Sequence, residues 1–405
     1  MSTSPVIDVV SASVTQQASS GTKPLLVCLP SMPAEAASAT LSTVTATFAG
    51  QPVIVASPDV SAEQPGAEGM PSVVPYPEPR ENGEWILTAS DYTAASSLAE
   101  QRSAGAILLL GTDASSLRPE ALQAMYAGVA AGADLALPRY RTAAEDGLVN
   151  SALLYPLTRA LFAADVRFPL PLDAGVSPRM LTRLASTARR VEAQADEPLV
   201  WPVAEASVAG FSIRQVEGGS RALPHPQDTD LNTLFAAVTG SIFADIEAKA
   251  PYWQRGRALP SRPAATARTA VSSAEANDEI RSLVENFRVA YNNLRDIWSL
   301  VLPPQSLLAL KKLSLTSAET FYFPPALWAR SVYDFALAFH LRTLNRGHLL
   351  GALTPMYLGW VASFLRTGET DEQGALELLD ATAFAFEQER PYLVSRWRWP
   401  DRFNP

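Results

Sequence analysis

The 405-residue chain has a single cysteine, Cys28, and only three histidines, His225, His340 and His348. A disulfide within the chain is therefore excluded, and so is a metal site built on thiolates. Basic charge is also scarce: the formal net charge is −9 and the pI about 5.0. A broad positive field for a phosphate backbone is missing, which argues against nucleic acid as a partner. Only 18% of residues are charged while 47% are hydrophobic, so wholesale disorder is excluded and a large core is expected. No phosphate-binding Gly-x-x-x-x-Gly-Lys-Ser/Thr loop, dinucleotide Gly-x-Gly-x-x-Gly turn or Gly-x-Ser-x-Gly elbow occurs, and three histidines leave little for a hydrolase triad.

The N-terminal stretch "MSTSPVIDVVSASVTQQASSGTK" has neither a basic start nor a continuous apolar run. Residues 1–22 read as a polar leader and not a signal peptide, with the cytoplasm as the default location. The run "LLGALTPMYLGWVASFL" (349–365) falls short of the ~20 apolar residues of a spanning helix and contains Pro355. It reads as a buried or partly interfacial helix, and no transmembrane span is expected.

What the first half does contain is alternation. "PLLVCLP" (24–30), "QPVIVASPD" (51–59), "EWILTAS" (84–90), "GAILLLGTD" (105–113) and "ADLALPRY" (133–140) have strand character. Small-residue helical runs separate them, including "SLRPEALQAMYAGVAAG", with Ser115 or Ser116 placed to cap it and Pro119 in its first turn. This β–α rhythm predicts an α/β domain over 23–257 with a mainly parallel sheet, helices on both faces. Residues 258–277, rich in Ala, Ser, Thr, Pro and Arg, read as a linker, and 278–405 as a helical domain. Cys28 is expected in the core, as is the stripe Tyr333, Phe335, Phe339 and Leu341.

Four polar positions stand on or beside the expected sheet. Asp113 closes a strand; Asp173 lies in the turn "PLDAGVS"; Glu205 lies between a strand and a helix; His225 sits between two prolines. Ligands of α/β sheets gather at the carboxyl ends of the strands. Asp113 and His225 are two ligand types that suit a hard divalent cation, Mg2+ or Mn2+, with a nucleotide diphosphate completing the shell. Glu205 or Asp173 would orient sugar hydroxyls or offset charge developing at an anomeric carbon. Each residue also has an ordinary structural reading. Asp113 caps a helix, Asp173 fixes a turn, His225 decorates a surface loop, and Glu205 complements a helix dipole. Arg139 and Arg141, in "PRYR", would meet an anionic group or simply face solvent.

From residue 138 onward, "PRYRTAAEDGLVNSALLYPLTRALFAADVRFPLPLDAGVS" resembles the middle of the retaining glycosyltransferases related to mannosylglycerate synthase and glucosyl-3-phosphoglycerate synthase. "AEASVAGFSIRQV", then "HPQDTDLNTLFAAVTGSIF" and "YDFALAFHLRTLNRGHLLGALTPMYLGWVASFLRTG", continue the likeness in the same order. It covers most of 105–395 and is weaker over 23–104. The resemblance implies a nucleotide-diphospho-sugar transferase fold of the A type, Rossmann-like and mainly parallel, with a C-terminal helical extension. It implies a UDP- or GDP-linked sugar donor, a small hydroxy-acid acceptor, retention of configuration and a divalent cation. By family analogy the helical half supports a homodimer. Residue by residue, Asp113 matches the last carboxylate of the metal motif and His225 the later metal-binding histidine. Glu205 falls on the acidic position near the acceptor, Asp173 on the acid of a Gly-Asp-Phe-Gly-like turn, and Asp59 on the acid that contacts the base.

The departures are specific. Gly111 stands where the metal motif has its first carboxylate, "LPSMPA" replaces a Pro-x-Tyr-Asn loop, and "TASDYT" replaces a Gly-Lys-Gly-like segment. Thr142 stands where an arginine is expected, leaving Arg139 and Arg141 as substitutes, and Leu148 stands where a threonine is expected. Two functions follow as expectations: a glycosyltransferase, weakened by these losses, or an inactive relative that binds a sugar nucleotide or a protein partner.

Overall fold

The computed structural model describes residues 23–66, 70–76, 87–112, 114–141, 147–192, 199–221, 231–255, 276–370 and 372–400. β1 (Leu25–Cys28) leads through α1 (Ala34–Thr47) to β2 (Val53–Ser57) and β3 (Ser72–Pro75). Then α2 (Ala89–Gln101) precedes β4 (Ala106–Leu109), and α3 (Pro119–Ala130) precedes β5 (Leu135–Arg141). A π-helical turn at Asn150–Leu154 runs into α4 (Tyr155–Phe162), followed by β6 (Ala174–Val176), α5 (Pro178–Glu192), α6 (Pro202–Ala209) and β7 (Ile213–Ser220).

These strands form one sheet in the order β3-β2-β1-β4-β6-β5-β7. All neighbours are parallel except β6, which runs antiparallel to both β4 and β5. The expected mainly parallel α/β architecture is the one observed. The central strands β1, β4 and β6 are buried on both faces, as a sheet covered by helices requires. Leu26, Cys28, Ile107 and Leu109 join a core on one face, while Leu25, Val27, Ala106 and Leu108 join a core on the other. Cys28 is thus a core residue, and burial pushes its thiol pKa up.

Two local expectations are corrected. "EWILTAS" does not end as a strand: Thr88 caps α2, its backbone N–H donating to Asp91 Oδ2 at 2.7 Å, and helix begins at Ala89. Residues 84–86 of that run lie outside the described residues. The strand between β2 and β4 in the chain is instead β3, a short edge strand ending at Pro75, where a missing N–H costs no ladder bond.

The helical layer comprises α7 (Leu231–Ala248), α8 (Ala250–Trp253), α9 (Ala276–Val301), α10 (Pro304–Ser314), α11 (Pro325–Leu341), α12 (Arg346–Thr370) and α13 (Glu372–Arg398). Its core contains Trp253, Trp298, Trp328 and Trp360 together with Leu153, Leu157 and Phe162 from α4 and the turn before it. The α/β unit and the helices therefore share one apolar cluster, because α4 packs against α13. Tyr333, Phe335 and Phe339 are buried in it as expected, whereas Leu341 at the end of α11 is exposed. The run 349–365 lies within α12. By length and composition alone α12 is apolar enough to cross a membrane, but 72% of its apolar window is buried inside the protein. Most of the expected linker, residues 258–275, lies outside the described residues.

Candidate functional site at the strand ends

The strand order reverses between β1 and β4, with β2 and β3 on one side and β4 onward on the other. Loops leaving the carboxyl ends at such a point diverge and open a crevice, which is the general ligand position of open α/β sheets. Here the segments leaving those strand ends are Leu29–Pro33 after β1, Asp59 after β2, and Leu110–Thr112 and Ala114–Ser116 after β4, while Asp113 lies outside the described residues. His225 also lies outside them, in 222–230.

Asp59 ties two of these loops together. Ser31 Oγ donates to its Oδ1 at 3.0 Å and the Met32 N–H to its Oδ2 at 3.4 Å, while its own N–H donates to Ser57 Oγ at 3.2 Å. The "LPSMPA" loop is thereby pinned to the end of β2, and the carboxylate stays exposed.

Asp173 lies deeper. The Gly111 N–H donates to its Oδ1 at 2.9 Å, and the Tyr140 hydroxyl donates to its Oδ2. Arg221, one residue beyond β7, donates from Nε to Oδ2 at 3.0 Å. The same guanidinium reaches Ser116 Oγ at 3.0 Å and the Thr112 carbonyl oxygen. Both side chains of the pair are 0% exposed. Burial, with the Asp173 charge beside it, raises the Tyr140 phenol well above its ordinary pKa, so it remains a hydroxyl donor. One buried knot thus fastens the ends of β4, β5 and β7 to the turn before β6.

This knot explains Gly111 sterically. A Cβ at position 111 would lie 2.6 Å from the carbonyl oxygen of Leu172, backbone against backbone. The position expected to carry a metal-binding carboxylate has no room for a side chain. Gly218 has a comparable role: a Cβ there would meet the Tyr140 ring at 2.7 Å. The ladder shifts register at this point, so Arg139 faces Glu217 while Tyr140 faces Gly219.

Arg139 and Arg141 stand on the exposed side of β5, opposite Tyr140. Arg139 Nη2 pairs with Glu217 Oε1 at 2.8 Å across the ladder, both side chains solvent-facing. Arg141 ends the strand opposite Ser220, exposed.

Glu205 belongs to a separate network. It sits in the first turn of α6, where Lys249 Nζ meets its Oε1 at 2.8 Å and Arg183 Nε its Oε2 at 2.9 Å. Lys249 also pairs with Asp245. Burial raises the pKa of Glu205, but Lys249 and Arg183 outweigh it and hold the carboxyl below its usual range. At Asp245 burial prevails over Lys249, and its pKa is pushed up to about 6. Glu205 and Asp173, both 1% exposed or less, are each saturated by fixed partners and do not meet. Arg221, Tyr140 and Lys249 are the residues that sequence reasoning missed. Tyr140 lay between the two arginines already singled out, while no local signal marks Arg221 or Lys249.

Among the described residues no group of three His, Cys, Asp or Glu side chains is placed to hold a metal. Gly111 supplies no oxygen, and both oxygens of Asp173 are committed to hydrogen-bond donors. The described donor set therefore does not by itself fit a divalent cation. At the strand-order reversal, a small cavity of about 10 Å³ is lined by Cys28, Pro30, Tyr76, Asp91 and Leu110. That is about the room one water needs. A larger hollow of about 360 Å³ opens elsewhere, beside Phe162, Asp165, Phe211, Gln215 and Tyr252.

No protein-family model matches the chain, and no curated protein does. Among solved structures it is similar to glucosyl-3-phosphoglycerate synthase from Mycobacterium tuberculosis in complex with Mn2+, UDP and glucosyl-3-phosphoglycerate. The identity is 18% over 59% of this chain and 81% of that one, with a TM-score of 0.37. The same enzyme with Mn2+, UDP-glucose and phosphoglyceric acid gives 16% identity, the same coverage and a TM-score of 0.36. A crystal structure of a mycobacterial protein gives 15% identity over 62% of this chain and 81% of that one, at 0.37. Similarity of this degree bears on neither substrate nor mechanism.

Proposed function

We propose that this chain is a glycosyltransferase that moves a sugar from a nucleotide diphosphate, UDP- or GDP-linked, to a hydroxyl of a small hydroxy-acid-like acceptor. The observation that supports it most directly is the reversal of strand order between β1 and β4, with the exposed carboxylate of Asp59 at the end of β2 beside it. In this reading Asp59 meets the base of the donor. Arg141, and Arg139 if released from Glu217, meet the acidic group of the acceptor. Asp173 and Glu205 act as positioning residues: the first sets the strand ends through Arg221 and Gly111, the second holds α6 through Lys249 and Arg183. Retention of configuration is carried into the proposal by the sequence resemblance. A divalent cation, Mg2+ or Mn2+, belongs to it through Asp113 and His225; when bound, the ion would offset diphosphate charge as the nucleotide leaves. What Arg221 does is independent of the ion: it pairs with Asp173, fixing that side chain, and donates to the Thr112 carbonyl oxygen.

A second reading, an inactive relative binding a sugar nucleotide or a protein partner, is favoured by one observation. Both carboxylates expected to act on the sugar are consumed by internal ion pairs. Calorimetric titration with UDP- and GDP-glucose, with and without Mn2+, on the wild type and on Asp59→Ala and His225→Ala, separates the cases. Cation-dependent binding weakened in both variants, followed by sugar transfer to a hydroxy acid, supports the transferase. Binding without transfer selects the inactive relative, and no binding by the folded protein refutes both donor-binding readings.

A further inference from the structure

The hollow of about 360 Å³ borders β7 at Ile213 and Gln215, near the amino end of that strand, whereas Arg221 follows its carboxyl end. Six residues of extended chain, about 20 Å, separate Gln215 from Arg221. The last residue of α4, Phe162, leads through Ala163, left-handed at φ 53°, into Ala164, Asp165 and Val166 along one wall. Gln215 fastens this turn to β7: its Nε2 donates to the Asp165 carbonyl oxygen, and its Oε1 accepts from the Arg167 N–H at 3.0 Å. Tyr252 of α8 stacks on Phe162, with centroids 6.2 Å apart at 19°, and Phe211, just before β7, adds a second half-buried ring.

Charge at this wall is unbalanced. The Tyr155 hydroxyl donates to Asp165 Oδ1 at 2.7 Å and Arg159 Nη1 lies 2.8 Å from the same oxygen, which leaves Oδ2 without a partner among the described residues. Arg159 is shared with Glu387 at 2.6 Å, and Arg167 pairs with Asp380 at 3.6 Å. Arg179, 4.9 Å from the Phe211 centroid, pairs with Asp134. Three guanidinium groups thus meet four carboxylates. Burial raises the pKa of Asp165, but the Tyr155 hydroxyl and Arg159 outweigh it and keep the carboxyl below its usual range, hence ionised. The C-terminal end of α4 adds partial negative charge at the same wall.

We propose that this hollow binds a small organic ammonium ion with an apolar body, the ammonium meeting Asp165 Oδ2 and the apolar part meeting Phe211 and Tyr252. A single carboxylate oxygen does not replace the shell of six or more oxygens that a hard metal ion takes, whereas an organic ammonium also draws on ring faces. At roughly 30 Å³ for each water displaced, the volume holds about a dozen heavy atoms. The site lies at the other end of β7 from the strand-end knot, and the inference does not depend on sugar transfer.

The test uses the full chain and three probes of similar size that differ in charge: 2-phenylethylammonium, 2-phenylethanol and phenylacetate. Calorimetric titration at neutral pH is expected to rank them in that order. The ammonium should bind at least about tenfold tighter than the alcohol, and less tightly as salt is raised. Asp165→Asn should abolish that preference and leave the alcohol's binding unchanged; Arg159 keeps Glu387 as its partner in this variant, and a circular dichroism melt checks that it folds. Tyr252→Leu should weaken the ammonium about two- to fivefold through the lost ring face. The charge ranking is read on the wild type, so it stands whether or not a variant folds. No binding of the ammonium at millimolar concentration, equal affinity for all three probes, or tightest binding of the anion would each overturn the proposal. An ammonium preference that persists in folded Asp165→Asn would overturn it as well, since the cation would then sit elsewhere.

Discussion

Replacing Arg221 by methionine tests whether the knot at the strand ends is as closed as its geometry indicates. The Arg221 and Asp173 side chains are both 0% exposed, so the substitution leaves a carboxylate inside the protein without its counter-charge. Removing one member of a buried pair typically costs about 3–5 kcal/mol. Two donors remain on Asp173, the Gly111 N–H and the Tyr140 hydroxyl, which places the expected loss near the lower end, at about 3 kcal/mol. Methionine also removes the Arg221 donors to the Thr112 carbonyl and the Ser116 hydroxyl, so the loop after β4 should exchange its amide hydrogens faster. Asp173→Asn alone should cost a similar amount by stranding the guanidinium. The double variant should cost less than the sum of the two by about 1–3 kcal/mol, since neither charge is then left alone. Urea unfolding followed by circular dichroism measures all three. Single-variant losses below about 1 kcal/mol, or strict additivity, would refute the reasoning by showing that water already solvates the pair.

Two further outcomes are expected. Asp245, raised to about 6, binds its proton more readily folded than unfolded, so stability should fall as pH rises from about 4 through 6. Asp245→Asn should remove that slope, of about 3 kcal/mol, and leave Lys249 paired with Glu205; an unchanged pH–stability curve would count against it. Gly111→Asp should destabilise the protein by about 1–3 kcal/mol through the contact with the Leu172 carbonyl, and should not raise Mn2+ affinity; tighter Mn2+ binding with full stability would contradict the steric account.

The parallel sheet was legible because its strands are short apolar runs punctuated by turn residues, and because both faces are covered, so every position in β1 and β4 must be apolar. Two segments were misread for local reasons. Thr88 and Asp91 form a capping box whose spacing was in the sequence, but the aromatic and β-branched residues before it looked like a strand. β3 was hidden because prolines flank it, a composition that reads as loop in the absence of a neighbour to pair with. The site shows the same division. Asp173 could be singled out from its turn, yet its meaning depends on Arg221, 48 residues later, brought beside it by the β5–β7 pairing. Glu205 likewise looked available, because Arg183 reaches it from α5 and Lys249 from the turn between α7 and α8. Spacing along one element predicts which residues share a face; it carries no information about which distant charge will fill a carboxylate's second oxygen.

Position 111 shows how such a loss is built in. Read in sequence, glycine in place of a carboxylate looks like a single missing ligand that one substitution would restore. In the fold, the Leu172 carbonyl occupies the space a side chain would need, and the glycine N–H is engaged by the neighbouring Asp173. Asp173 is in turn held by Arg221, which also draws in the Thr112 carbonyl one residue beyond Gly111. The glycine, the close-packed turn and the buried cation are therefore mutually dependent: each removes the room or the charge balance that a carboxylate at 111 would require. If the chain transfers sugar, it does so with strand ends organised by a fixed guanidinium and not by a pair of metal-binding aspartates after β4. The activity to look for is accordingly one in which Asp59, Arg141 and the loop after β1 carry recognition, with the Arg221 knot as their rigid base.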